Sequence, residues 1–121
     1  MLKRSTNAVV ERNVEWGGSF EAEPYEAGWA SEAIFFVRSL QGGDPTETAR
    51  VQITPDGMHW CDEGTVLRLP GPGETTFAKV TNFGNWLRLV GTASRPVTVL
   101  ATLTLKAQGR PSSQRDATEE R

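Results

Sequence analysis

The stretch from Val97 to Lys106 constrains this chain more than any other. Val97, Val99, Ala101, Leu103 and Leu105 alternate there with Thr98, Leu100, Thr102, Thr104 and Lys106. Period two places the first set on one face of an extended strand, and β-branched Val and Thr suit a pleated surface. A helix would scatter the same apolar residues around its circumference. The pattern predicts a long strand with an apolar inner face and a Thr-rich outer one.

Shorter runs repeat the theme. Ala49, Val51 and Ile53 alternate with Thr48, Arg50 and Gln52; Leu67 and Leu69 flank Arg68; Leu87 and Leu89 flank Arg88. Ala33-Ile34-Phe35-Phe36-Val37 is apolar on both faces, which suits a central strand covered on both sides or one whose outer face meets another subunit. Gly42-Gly43-Asp44-Pro45, Pro55-Asp56-Gly57, Pro70-Gly71-Pro72-Gly73, Asn82-Phe83-Gly84-Asn85 and Ser94-Arg95-Pro96 supply turn chemistry between the runs. About seven to eight short strands with no convincing amphipathic helix read as an antiparallel β-sandwich, jelly-roll-like in kind. Ala8, Val10, Val14 and Trp16 share a parity that Arg12 interrupts, as on an edge strand where a charge discourages stray pairing. The expected organisation is a short flexible arm over residues 1–7, the sandwich over 8–107, and a disordered tail over 108–121 without apolar anchors.

A chain of 121 residues matches one domain. Its net charge of −2 argues against nucleic acid, which needs clustered, uncompensated Lys and Arg. Charge is uneven, however. Glu11, Glu15, Glu21, Glu23, Glu26 and Glu32 face a single Arg12, whereas Lys79, Arg88, Arg95, Lys106 and Arg110 are the only charges from Phe77 to Arg110. An acidic front and a basic back would steer one subunit onto the next, or be two solvated faces. Cys61 is the lone cysteine, so no intramolecular disulfide forms. No apolar h-region follows the basic N-terminus and no apolar run approaches the roughly 20 residues of a membrane helix. The expectation is a cytoplasmic or virion/particle-associated protein without a signal peptide or membrane partner.

Thr54-Pro55-Asp56-Gly57-Met58-His59-Trp60 is the most distinctive motif. Asp56-Gly57 is a favoured hairpin turn because both residues tolerate positive φ and the Asp side chain accepts a nearby backbone N–H. Trp60, three residues on, is placed to fold back over the turn. The motif resembles the Asp-box of many β-rich proteins, though it lacks the residue between Asp and Gly. It is also similar to the S-P-D-G-x-x-W hairpin of β-sandwich modules in phage structural proteins and carbohydrate-binding domains. That resemblance implies an architectural hairpin on a sandwich, in a phage-type particle component or a sugar-binding module.

Chemistry-bearing constellations are sparse. His59, Cys61 and Asp62 fall short of a metal site, since third and fourth ligands are missing. A Cys61–His59 nucleophilic pair lacks an orienting group. Gly71 and Gly73 sit among prolines with no G-K-[ST] after them, so no phosphate loop forms. No catalytic residue, cofactor or metal is assigned, and the chain reads as a non-enzyme. The aromatic set is richer. Trp60 and Trp86 read as core or subunit interface. Trp29, near Tyr25, has a loop-like setting and is the better contact candidate, and two or three exposed Trp rings would stack on sugars. Phe83, at the tip of a hairpin expected between Phe77–Thr81 and Trp86–Leu89, either tucks back onto Trp86 or inserts into a neighbouring molecule. The leading expectation is a structural subunit that self-associates into a homo-oligomer or decorates a larger protein assembly. The alternative is a carbohydrate-binding module.

Overall fold

A computed structural model describes residues 3–81 and 83–108. Among them run seven strands: β1 (Lys3–Glu21), β2 (Tyr25–Glu26), β3 (Glu32–Gly42), β4 (Thr48–Thr54), β5 (Cys61–Arg68), β6 (Thr75–Thr81) and β7 (Trp86–Gln108). The alternating stretch 97–106 is the second half of β7. Fully extended, its 23 residues would reach about 75 Å, far beyond the roughly 30 Å breadth of a small domain. The strand therefore has to turn a corner.

It does so where the sequence carries Ser94-Arg95-Pro96. β1 pairs with β7 from Lys3↔Gln108 to Glu21↔Val90, and the register shifts between Trp16↔Val97 and Gly18↔Ala93. Residues 94–96 thus stand against Gly17 alone. The expected turn between two strands is instead a bend inside one. Gly42 and Gly43 let the chain pass this corner closely, with φ of 75° and 115°. A Cβ on Gly42 would sit 2.6 Å from the Pro96 carbonyl oxygen, and one on Gly43 2.3 Å from that of Pro70.

All pairings are antiparallel and join into one sheet. β1, continued by β2, follows one edge of β7; β4 and then β3 occupy the other edge. One half of the sheet therefore runs β5–β4–β7–β1 and the other β6–β3–β7–β1, and the bent β1/β7 ribbon folds them together into nearly a barrel. Trp16, Phe35, Val37, Leu67, Leu87, Leu89, Leu103 and Leu105 fill the interior. Each such side chain contributes about 1.5–3 kcal/mol of burial. Trp16 stacks on Phe20, ring centroids 4.2 Å apart and planes 8° from parallel.

Three expectations change. Residues 3–7, read as an arm, pair with 104–108, and Thr104 Oγ1 donates to Asn7 Oδ1 at 2.7 Å. The tail over 109–121 lies outside the described residues. β6 pairs with β3, and no β6–β7 hairpin forms among the described residues, because the connection through Phe83 carries the chain from one sheet half to the other. The parity of β1 is also interrupted by register shifts around Val10, Asn13 and Gly17; Val10 and Trp16 are buried, Val9 is 46% exposed, and Val14, in register with Trp16, is 37% exposed. Such bulges protect an edge strand from stray pairing, and β1 pairs only with β7 among the described residues.

Candidate interaction surfaces

The Asp56 loop is longer than a two-residue hairpin. It spans residues 55–60 between β4 and β5, with Ile53 paired to Cys61. Asp56 organises it: Oδ1 accepts from the Met58 and His59 backbone N–H groups at 2.8 and 2.9 Å and from Thr54 Oγ1 at 2.8 Å, while Oδ2 meets His59 Nδ1 at 2.7 Å. These donors, the His59 backbone N–H foremost, hold the Asp56 carboxyl well below its ordinary value. Gly57 takes φ 81°. The ring against it belongs to Trp86, whose indole atoms lie 3.7 Å from where a Cβ would be. Trp60 turns away instead, under the Arg88 guanidinium, 4.1 Å from ring centroid to Cζ.

Tyr25 and Glu26 pair with Leu87 and Trp86, the Ala27 N–H donates to the Asn85 carbonyl at 2.6 Å, and Asn85 Nδ2 reaches the Pro55 carbonyl at 3.3 Å. Segments 25–28, 55–57 and 83–86 thus meet at one end of the barrel. Tyr25, Trp29 and Phe83 are partly buried there and pack against the core, and Trp86 is half-buried. Of the two courses open to Phe83, the structure shows it turned inward.

On the outer face of the β5–β4–β7–β1 half lies a polar ladder. Arg88 donates to Gln52 Oε1 at 3.0 and 2.8 Å and to Glu21 Oε1 at 3.3 Å; Gln52 Nε2 and Arg50 Nε both donate to Asp62 Oδ1, at 2.9 and 3.0 Å. The Gln52 and Arg50 hydrogen bonds lower the Asp62 pKa. Beside the ladder, Ser19, Thr92, Gly91 and Val90 line an open groove of about 540 Å³. Glu21, Arg50, Gln52 and Arg88 line it too, with their hydrogen bonds already met within the ladder.

The outer face of the other half differs in kind. Register places Val9, Thr102, Phe36 and Phe77 in one row across β1, β7, β3 and β6. Phe77 is 58% exposed and its ring lies 6.0 Å from that of Phe36. The next row on one side is Arg12, Leu100, Arg38 and Thr75; those on the other side are Asn7, Thr104, Ile34 and Lys79, then Ser5, Lys106, Glu32 and Thr81. Ile34 and Phe36 were legible as the outer face of a doubly apolar strand. Phe77 was not, because one aromatic in a short alternating run carries no signal of which face it occupies.

In fold the chain resembles the SPBc2 prophage-derived protein YomS. The TM-score is 0.56 at 10% identity, over 88% of this chain and 96% of that one. Lesser likenesses are to a structure of Bacillus endospore appendages, described as disulfide-linked pili (TM-score 0.47, 10% identity, 88% of this chain and 89% of that), and to the carbohydrate-binding module CBM29-2 (TM-score 0.41, 11% identity, 96% and 94%). No protein-family model matches, and no curated protein does. The likeness to YomS establishes a shared all-β fold.

The charge pattern looks different once strands are paired. The acidic segment follows β1 and the start of β3, and the basic one follows β7, so they are neighbours. Glu21 meets Arg88 and Glu32 stands opposite Lys106. Front and back are not opposite poles, which removes head-to-tail steering between the two ends as a motive for assembly. No group of three or more His, Cys, Asp or Glu side chains fit to hold a metal occurs among the described residues. Among the described residues no helix is long and apolar enough to cross a membrane.

Proposed function

We propose that this protein is a non-catalytic building block of a larger protein assembly, of the phage-derived particle kind. The folded-over sheet serves in this reading as a jelly-roll-like sandwich whose β6–β3–β7–β1 half docks on protein. One observation carries the proposal: the Val9–Thr102–Phe36–Phe77 row, in which exposed Phe77 stands beside half-buried Phe36 on a four-stranded face. Contiguous apolar surface rimmed by polar residues marks protein contact sites, and aromatic side chains dominate their energetics. The resemblance in fold to a prophage-derived protein supports the setting. Recovery of the native particle tests it. Wild-type chain co-purifies with the particle, and Phe77→Lys, at an exposed position that leaves folding intact, is lost from it. Equal recovery of both would refute the proposal.

A second reading, binding of a carbohydrate, is favoured by one feature: Trp60 beside Arg88, Gln52 and Asp62, a ring next to planar polar groups. The partial burial of Tyr25, Phe83 and Trp86 weighs against broad stacking platforms. A glycan array decides it; binding that Trp60→Ala abolishes and Phe77→Lys leaves alone would replace the assembly reading.

A further inference from the structure

We infer that the β6–β3–β7–β1 face docks on a second copy of itself across a twofold axis parallel to the strands, an inference that rests on the assembly reading and names its partner. Three properties of the face lead there. The first is shape. In its two middle rows the β3 and β6 columns carry the tall side chains Ile34, Phe36, Phe77 and Lys79, whereas the β7 and β1 columns carry Thr102, Thr104, Asn7 and Val9. A ridge beside a shelf is self-complementary: a twofold lays each ridge on the other copy's shelf, as an isologous interface requires.

The second is charge. Under that axis β6 covers β1 of the other copy and β3 covers its β7, row on row. Phe77 then meets Val9, and Phe36 meets Thr102. In the flanking rows Arg38 meets Leu100, Thr75 meets Arg12, and Lys79 meets Asn7, so no cation faces a cation. In the last row Glu32 meets Lys106, twice by symmetry. A face that carries Arg12, Arg38, Lys79 and Lys106 would repel a copy of itself in most arrangements. In this one it finds only neutral or opposite partners.

The third is area. The four strands run together over residues 32–38 of β3 and the seven residues of β6, about 23 Å of strand, and span about 19 Å, which gives about 440 Å². That is about half of the roughly 800 Å² that each partner gives a standard interface, so the expected dimer is a weak one that forms at high concentration.

Light scattering after size-exclusion chromatography tests the inference on the full chain. The expected mass is that of two 13.3 kDa copies. Phe77→Lys should weaken the dimer at least about thirtyfold, as loss of an aromatic anchor and gain of a charge against Val9 would do. Glu32→Lys and Lys106→Glu should each weaken it about tenfold, since each puts like charges together at two places. Mixed in equal amounts, these two variants restore opposite charges only between copies, and the mixture should bind within about threefold of wild type. Asp62→Lys mixed with Arg50→Glu, the same changes on the other sheet half, should gain nothing. A dimer that is indifferent to Phe77→Lys, or a mixture no tighter than its components, overturns this docking mode and leaves the assembly reading standing. A chain that stays monomeric at high concentration also overturns it. Recovery of Phe77→Lys with the native particle then decides the assembly reading separately.

Discussion

Gly91 sits in the middle of β7 where Phe20 crosses it on β1 and Ala49 faces it on β4. A Cβ placed there would lie 2.9 Å from Phe20 Cζ and 3.0 Å from the Thr48 carbonyl oxygen. Gly91→Ala therefore sets two effects against each other. Removing a glycine from a strand interior gains about 0.5–1 kcal/mol by restricting the unfolded chain. Forcing a methyl into contacts this short costs about 1–3 kcal/mol, because Phe20 is pinned by its stack on Trp16 and a backbone carbonyl cannot rotate aside. Strain wins, by about 1–2 kcal/mol. In a domain of this size that lowers the melting temperature by roughly 3–10 °C, measured by thermal and urea unfolding followed by circular dichroism. Phe20→Leu withdraws the ring tip, so in the double variant part of the cost should vanish, with a coupling of about 0.5–1 kcal/mol. A Gly91→Ala protein as stable as wild type, or strict additivity with Phe20→Leu, would refute the reasoning.

Other consequences are as direct. Leu103→Ala removes a fully buried side chain and should cost about 2–5 kcal/mol in urea unfolding, with the m-value unchanged. Asp56→Ala deprives Met58 and His59 of their backbone acceptor, so hydrogen exchange of those two amides should accelerate while β7 amides keep their protection. Asp44, Glu47, Asp56, Asp62 and Glu74 are all held below their ordinary pKa, Glu74 at about 2 through the Arg68 guanidinium and the Gly71 N–H. A carboxylate whose folded pKa is depressed stabilises the fold above its unfolded value and loses that contribution as pH falls toward the folded one. The urea midpoint should therefore drop between about pH 5 and pH 2, less steeply in Glu74→Gln; equal slopes would count against the Glu74 contribution. Glu11, raised by burial, works in the opposite direction and only partly offsets the rest.

The all-β fold was legible because period-two alternation has no helical counterpart, and β7 gave the clearest case. Its corner was not legible. Ser94-Arg95-Pro96 has the composition of a turn, and only the pairing of β1 along both sides of it shows that the strand continues. The β6–β7 hairpin failed for a related reason: Asn82–Asn85 has turn residues, but a short connection does not reveal whether it reverses within a sheet or crosses between halves. Phe83, with an apolar ring in that connection, packs on the core because the crossing carries it there. Bulges at Val10 and Asn13 broke the single parity of β1, which no residue pattern announces, while Val14 and Trp16 keep one parity against Val99 and Val97. Among the surfaces, Phe36 announced itself through an apolar run longer than one face needs. The polar ladder on Arg88 joins residues 21, 50, 52, 62 and 88, which no local pattern connects.

The pairing of Lys3 with Gln108, and of everything between them along the β1/β7 ribbon, has a consequence for how the chain acquires its shape. Among the described residues β1 has its only ladder partner in β7, the strand furthest from it along the sequence. Until β7 is in place, β1 lacks that partner, and β3 and β4 lack the strand that separates them. Closure over so large a sequence separation is entropically expensive and slow. While it waits, the Phe36 surface and unpaired strand edges stand open to other nascent chains. Refolding on a timescale of milliseconds to seconds, with a yield that falls as concentration rises, is the expected signature.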